Sequence, residues 1–251
     1  MRLIPLVGIL AFGFLPACNS PAPETGPLHC PEDMVHLASV ELNLGQANRT
    51  RRWEGHPAQV TLPSFCIDRY EYPNRLGELP RVNVSWNEAQ KLCAERSRRL
   101  CSSDEWERAC RSSESWTWSY GPRFDPKRCN TPLQGADGPG QSPIPLAPSG
   151  SFAGCRSPEG VYDLNGNVSE WVADPWDAQL YGSPDGASQS RALDEAPVPA
   201  AALSAPVAEY RSLRGGTMWS ETFYGQSCHS RHAHPRTSPS DDDGFRCCLG
   251  R

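Results

Sequence analysis

At 251 residues, with 25 prolines, 21 glycines and 38% apolar residues, the chain can build one substantial core or two small ones, heavy in turns and irregular loops. With a formal net charge of −5 and acidic and basic residues interspersed, nothing suggests nucleic-acid binding. One apolar run lies at the N-terminus and no second run suggests a spanning helix.

Arg2 supplies a short positive start, and Leu3 to Leu15 is apolar and uncharged. Spanning a bilayer takes about 20 apolar residues, so residues 1–17 read as a secretory signal rather than as part of the fold. The run ends Leu15-Pro16-Ala17-Cys18, which resembles the bacterial lipobox. Cleavage before Cys18 would free its thiol for a diacylglycerol and its new amine for a third acyl chain. Pro16 stands where that motif usually has a small or hydroxyl residue, and an ordinary cleaved signal with an incidental Cys18 is the alternative. Residues 18–29 are Pro-rich and polar, as suits a flexible tether. The expected location is the bacterial cell envelope, lipid-anchored at the periplasmic or outer-membrane face.

Eleven cysteines less the lipidated Cys18 leave ten, an even number in an oxidising compartment. No paired C-x-x-C knuckles occur, so structural disulfides are a better reading than a zinc site. Each disulfide typically stabilises by about 2–4 kcal/mol, which offsets the limited apolar burial of a loop-rich chain.

The domain proper runs over residues 30–251. Ser85-Trp86-Asn87-Glu88 is a capping box, whose hydroxyl and carboxylate satisfy orphan amides at a helix start. Pro80 ends whatever precedes it, and Ala89, Leu92, Cys93 and Arg96 follow at helical spacing. A second box, Ser102-Ser103-Asp104-Glu105, opens another helix with Trp106, Ala109 and Cys110 on one face. Both helices therefore turn a cysteine toward the core. Residues 178–209 become rich in Ala, Pro and Ser and read as a mobile surface insertion. Short strands are expected at Leu213 to Trp219 and at Gly244 to Leu249. Between them stand His229, His232 and His234. An extended chain would put His232 and His234 on one face and His229 on the other. Exposed loop histidines are the plainer expectation and a histidine metal centre the alternative. Asp241-Asp242-Asp243 reads as a solvated turn.

Several segments then fall into a familiar order. Val84-Ser85-Trp86-Asn87-Glu88-Ala89 and Arg99-Leu100-Cys101-Ser102-Ser103-Asp104-Glu105-Trp106-Glu107-Arg108-Ala109-Cys110 resemble the paired helices of the formylglycine-generating enzyme (sulfatase-modifying factor) family. Gly160-Val161-Tyr162-Asp163-Leu164-Asn165-Gly166-Asn167-Val168-Ser169-Glu170-Trp171 is similar to its signature, and Arg214-Gly215-Gly216-Thr217 and Gly244-Phe245-Arg246-Cys247 complete the set. The resemblance spans Cys30 to Cys248 and implies an α+β fold: the family's irregular, disulfide-rich variant of the C-type-lectin-like fold, short of regular structure.

The resemblance also implies the pairs Cys93–Cys247 and Cys110–Cys228. Proximity of segments adds Cys30–Cys66 and Cys129–Cys155, leaving Cys101–Cys248, although adjacent Cys247 and Cys248 could exchange partners. In the family's enzymes, two cysteines shortly after the Arg-Gly-Gly-Ser strand bind copper(I), activate dioxygen and oxidise a sulfatase cysteine to formylglycine. Soft thiolates suit copper(I). Here Ser220 and Gly225 fall where that pair would stand, and no cysteine lies between Gly216 and Cys228. Ser169 likewise replaces the first Trp of the family's Asn-x-Trp-Glu-Trp. These departures argue against formylglycine generation and against a copper or iron cofactor. The family's structural calcium carries over to the side chains of Asp163 and Glu170 and the carbonyls of Gly166 and Val168, hard oxygen donors of the kind calcium takes. A second family calcium position near Asn130 finds no matching carboxylate. Two functions follow. One is a lipid-tethered, calcium-stiffened binding or scaffold module for a peptide, glycan or envelope protein. The other is an oxidoreductase of the same superfamily with a different metal centre.

Overall fold

The computed structural model describes residues 28–45, 58–132, 144–176, 209–218 and 223–250. The signal, Cys18, nearly all of the tether, Ser220 and all but the last residue of the expected insertion at 178–209 lie outside the described residues. Among those described, no helix is long and apolar enough to cross a membrane.

Among the described residues, ten short strands and two short helices make an α+β fold. In chain order they are β1 (Met34–Leu37), β2 (Val40–Leu44), β3 (Ala58–Leu62), β4 (Phe65–Asp68), α1 (Trp86–Ala94), β5 (Arg99–Leu100), α2 (Ser103–Arg111), β6 (Ser169–Pro175), β7 (Tyr210–Arg214), β8 (Arg231–Pro235), β9 (Asp243–Phe245) and β10 (Cys247–Leu249). One four-stranded sheet has the order β1-β4-β10-β5, a second has β8-β7-β6-β9, and β2 and β3 pair as a hairpin.

Both helices start where their capping boxes place them. The Ser85 hydroxyl accepts from the Glu88 amide while Glu88 accepts from the Ser85 amide; Ser102 and Glu105 repeat the arrangement. Helix α1 stops at Ala94, two residues short of Arg96. Arg96 instead donates to the Pro73 carbonyl at 2.9 Å and lies over the Tyr72 ring. Helix α2 is unusual because eight of its nine residues are buried although five of the nine are charged. Its four buried charges are paired within the protein: Glu105 with Arg99, Arg108 with Glu159, and Glu107 with Arg111, Arg214 and Arg231.

The apolar core has two parts. Trp106, Ala109, Val35, Phe65, Ile67, Leu164 and Val172 pack about α2. Val84, Trp86, Ala89, Trp171, Leu213 and Phe245 pack about α1. Two indole N–H groups find carbonyls, Trp86 on Val172 across the junction at 2.7 Å and Trp171 on Val84 within the α1 part at 2.9 Å, which removes the cost of burying them. Five disulfides tie the elements together: Cys30–Cys66, Cys93–Cys247, Cys101–Cys248, Cys110–Cys228 and Cys129–Cys155. Adjacent Cys247 and Cys248 leave β10 on opposite faces, one toward α1 and one toward the start of α2, as strand alternation requires.

Two expected strands need correction. Leu213 to Trp219 is not one strand: β7 starts earlier, at Tyr210, and ends at Arg214. Gly215 then turns the chain at φ 76°, with room for a Cβ only 3.3 Å from the Leu164 carbonyl. Gly244 to Leu249 is two strands in two different sheets, β9 parallel beside β6 and β10 antiparallel to β4 and β5. The break at Arg246 sends that guanidinium into the protein interior.

Candidate functional site

The signature loop, residues 160–170, reverses direction through four left-handed residues, Gly160, Asp163, Gly166 and Asn167. At Gly166 a side chain is excluded twice over: φ is 79°, and a Cβ would stand 2.3 Å from the Asn130 carbonyl oxygen. This tight path carries Asp163 and Glu170 inward, where they lie 5% and 1% exposed.

A third carboxylate waits there. Glu71, with no exposure, accepts from both the Asn167 amide at 3.0 Å and the Ser149 hydroxyl at 2.8 Å. Asp163 accepts the Gly150 amide at 2.6 Å. Glu170 is held at both oxygens by Arg246, at 2.6 Å each, and also takes the Trp106 indole N–H at 2.7 Å. Arg246 completes its donors on the Asp68 and Tyr162 carbonyls. Three buried carboxylates thus face one guanidinium. Burial pushes Asp163 up to about 6. Burial, and then the charges of Asp163 and Glu170, push Glu71 well above the ordinary carboxylate range.

The predicted calcium ligands Asp163 and Glu170 therefore share one buried cluster, on the loop that also carries Gly166 and Val168. Among the described residues, no three His, Cys, Asp or Glu side chains converge on a single metal position. A cation here would draw on two carboxylates and main-chain carbonyls. Asp163 uses only Oδ2 for the Gly150 amide, and Oε1 of Glu170 accepts a single hydrogen bond, leaving it a lone pair. Oxygen donors with surplus negative charge fit a hard divalent cation. Glu71 and Arg246 were missed as members of this cluster. Glu71 comes from the segment after β4, 96 residues from Asn167, and no local spacing marks it.

Where the family's copper thiols would stand, Ser220 lies outside the described residues. Gly225 lies in a short 3-10 turn, Phe223–Gln226. That turn packs directly on the glycine pair after β7, since a Cβ on Gly216 would meet Gln226 at 2.4 Å. Asn165 of the signature pins it by donating to the Gln226 carbonyl at 2.6 Å. All ten cysteines from Cys30 to Cys248 are paired in disulfides, so the domain retains no thiol.

The three histidines are not exposed loop residues. His229 is buried, its Nδ1 3.6 Å from Glu107, while His232 and His234 sit on β8. The alternation expected for an extended chain holds for the pair on the strand. Their ring centroids stand 6.2 Å apart in an edge-on arrangement, and the predicted three-histidine set is split. The His232 Nε2 pairs with Ser169 at 2.5 Å, and the His234 Nδ1 with Asp243 at 2.6 Å. The acidic triplet is likewise not simply a solvated turn: Asp243 is fully buried at the start of β9, where that imidazole partners it.

A second charged cluster surrounds Glu107 on α2. Its carboxylate takes Arg214 and Arg231 at 2.7 Å each, Arg111 at 3.1 Å and the Gly45 amide at 2.7 Å. Burial alone would raise this carboxyl, but Arg231 and Arg214 hold it well below the ordinary carboxylate range.

Comparison with known proteins agrees with this architecture. The family model for the sulfatase-modifying factor enzyme 1-like domain matches residues 73–250. Inactive C-alpha-formylglycine-generating enzyme 2 of Bos taurus is 33% identical over 188 residues, covering 69% of this chain and 51% of that protein. Formylglycine-generating enzyme of Thermomonospora curvata is 30% identical over 186 residues, covering 67% of this chain and 54% of that protein. The chain spans about half the length of these curated relatives. The structure of PvdO from Pseudomonas aeruginosa superposes with a TM-score of 0.64 at 22% identity, over 87% of this chain and 94% of that one. With the fold, the signature loop and the paired helices all in place, the chain belongs to the sulfatase-modifying-factor family of formylglycine-generating-enzyme-like domains.

Proposed function

We propose that this protein is a non-catalytic envelope lipoprotein, a binding or scaffold module built on a formylglycine-generating-enzyme-like domain. The observation that carries this reading is the state of its cysteines. Copper(I) chemistry of the family type needs two thiolates, and here every cysteine beyond Cys18 is committed to a disulfide. Similarity to a relative named inactive points the same way.

Lipid on Cys18 would hold the domain at the membrane surface, with the Pro-rich tether setting its reach. Calcium at the signature loop would stiffen the face that presents loops to a peptide, a glycan or another envelope protein. The decisive experiment offers the purified, disulfide-intact domain a cysteine-bearing sulfatase peptide with copper(I) and dioxygen. Unchanged peptide mass is the expected result; formylglycine in the product would overturn the reading. In cells, Cys18→Ala is expected to move the protein from the membrane fraction to the soluble one.

A further inference from the structure

We propose that His232 and His234 form a surface site for a nitrogen-preferring divalent ion of the zinc class, separate from the signature-loop carboxylates and independent of any oxidase chemistry. Two histidines at i and i+2 on a strand project to one face, and on β8 their ring centroids lie 6.2 Å apart with planes at 62°. Imidazoles that share one ion at about 2.0–2.1 Å per bond need a centroid separation close to this.

The supports behind the rings strengthen the assignment. A metal-binding histidine is normally oriented by a hydrogen bond from its other ring nitrogen, often to a carboxylate. His234 has that arrangement: Nδ1 is on Asp243 at 2.6 Å, which leaves Nε2 as the ligand atom. His232 has its counterpart in Ser169, which holds Nε2 at 2.5 Å and leaves Nδ1. Both supporting residues are fully buried and fixed by β6 and β9, while both imidazoles are only partly buried. The Asp243 Oδ1 is buried with no hydrogen-bond partner, so its carboxylate carries charge that the His234 contact does not use. An ion beyond His234 would offset it. Ser169 is also the position where the family signature has tryptophan. The small hydroxyl that replaces it is the group that orients His232.

Imidazole pairs with open remaining positions suit zinc, nickel or copper(II) rather than calcium. Water or a side chain of a partner would complete the coordination, which makes the pair a point where a second molecule could be bridged by metal.

Isothermal titration of chelator-treated protein with zinc, calcium being present throughout, is the test. About one zinc per chain is expected. His232→Gln or His234→Gln should each weaken binding at least as much as the loss of a supporting residue, about 10–100-fold, and Asp243→Asn should fall in that same range. His229→Gln should leave it unchanged. No uptake at millimolar zinc, or equal affinity in the His232→Gln/His234→Gln double variant, would overturn the proposal. Should a variant fail to fold, the wild-type protein still answers. Zinc must shift the imidazole C–H resonances of these two histidines in its NMR spectrum, and unmoved resonances would refute the site. Neither outcome bears on the peptide-oxidation experiment, because the pair needs no thiol.

Discussion

Two buried charged clusters stand on either side of Trp106, and they are unbalanced in opposite senses. Around the signature loop, Glu71, Asp163 and Glu170 share one guanidinium, Arg246. Around α2, one carboxylate, Glu107, is shared by Arg111, Arg214 and Arg231. The first has surplus negative charge, which burial resolves by raising the affinity of Asp163 and Glu71 for protons. The second has an acid held ionised by its neighbours. A carboxylate cluster with too few cations is a place to receive one, whereas a carboxylate with three guanidiniums is a place to hold a fold together. The comparison therefore separates a candidate cation site from a structural keystone more clearly than exposure does, since both clusters are equally hidden.

The largest effect is expected from Glu107→Gln. Removing one partner of a buried ion pair costs about 3–5 kcal/mol, because the remaining charges stay uncompensated. Here three guanidiniums would lose their shared counter-charge at once, so denaturant melts should place the loss at the upper end. Calcium should not restore it. A loss near 1 kcal/mol would mean that the cationic cluster is not the keystone argued here.

pH should then separate the clusters. Asp163 binds its proton more tightly folded than unfolded, at about 6 against 3.8. Its stabilising share is therefore complete below pH 3.8 and is lost as pH rises through about 6. That difference corresponds to about 3 kcal/mol. Glu107 has the opposite sign: its share is present above the ordinary carboxylate pKa of 4.5 and is lost only as pH falls through its lowered folded value. Asp68 is also raised to about 6 by burial and titrates in the same window. The informative quantity is thus the difference between the wild type and Asp163→Asn. Metal-free wild type should lose more stability from pH 4 to pH 7 than the variant does.

Calcium should act on one cluster alone. A ligand that binds only the folded state at about one hundred times its Kd stabilises by about 2.7 kcal/mol. At pH 7 added calcium should raise the melting temperature, chelation should reverse it, and Asp163→Asn should abolish the response. If the wild type does not respond, the cluster is balanced by protons instead.

The sequence showed these clusters unequally, for physical reasons. Capping boxes are local, so both helix starts were legible within four residues. The order of the family motifs fixed the fold and brought Asp163 and Glu170 to one loop. Burial is not local. Glu71 lies between tyrosines in an ordinary turn, and only contacts with Asn167 and Ser149 make it part of the site. Asp243 looked like one of three solvated acids, yet pairing of β9 with β6 removes it from water. Arg246 interrupts an apparently continuous strand, and its guanidinium pairs with Glu170 in the interior, a partner 76 residues away that no local pattern marks.

The smallest predicted effect is also the most specific. Ser149 donates to Glu71 at 2.8 Å and contacts neither Asp163 nor Glu170 through any hydrogen bond among the described residues. Replacing it with alanine removes one buried hydrogen bond, a loss of about 1 kcal/mol. The carboxyl it leaves behind still has the Asn167 amide, so the cost should stay near that figure. If calcium settles on Asp163 and Glu170 alone, Ser149→Ala lowers the melting temperature equally with and without the ion. If Glu71 shares in holding the ion, calcium should lessen the loss. Melting curves of this one variant, with and without calcium, thus decide whether the third carboxylate belongs to the cation or only to the loop that holds it.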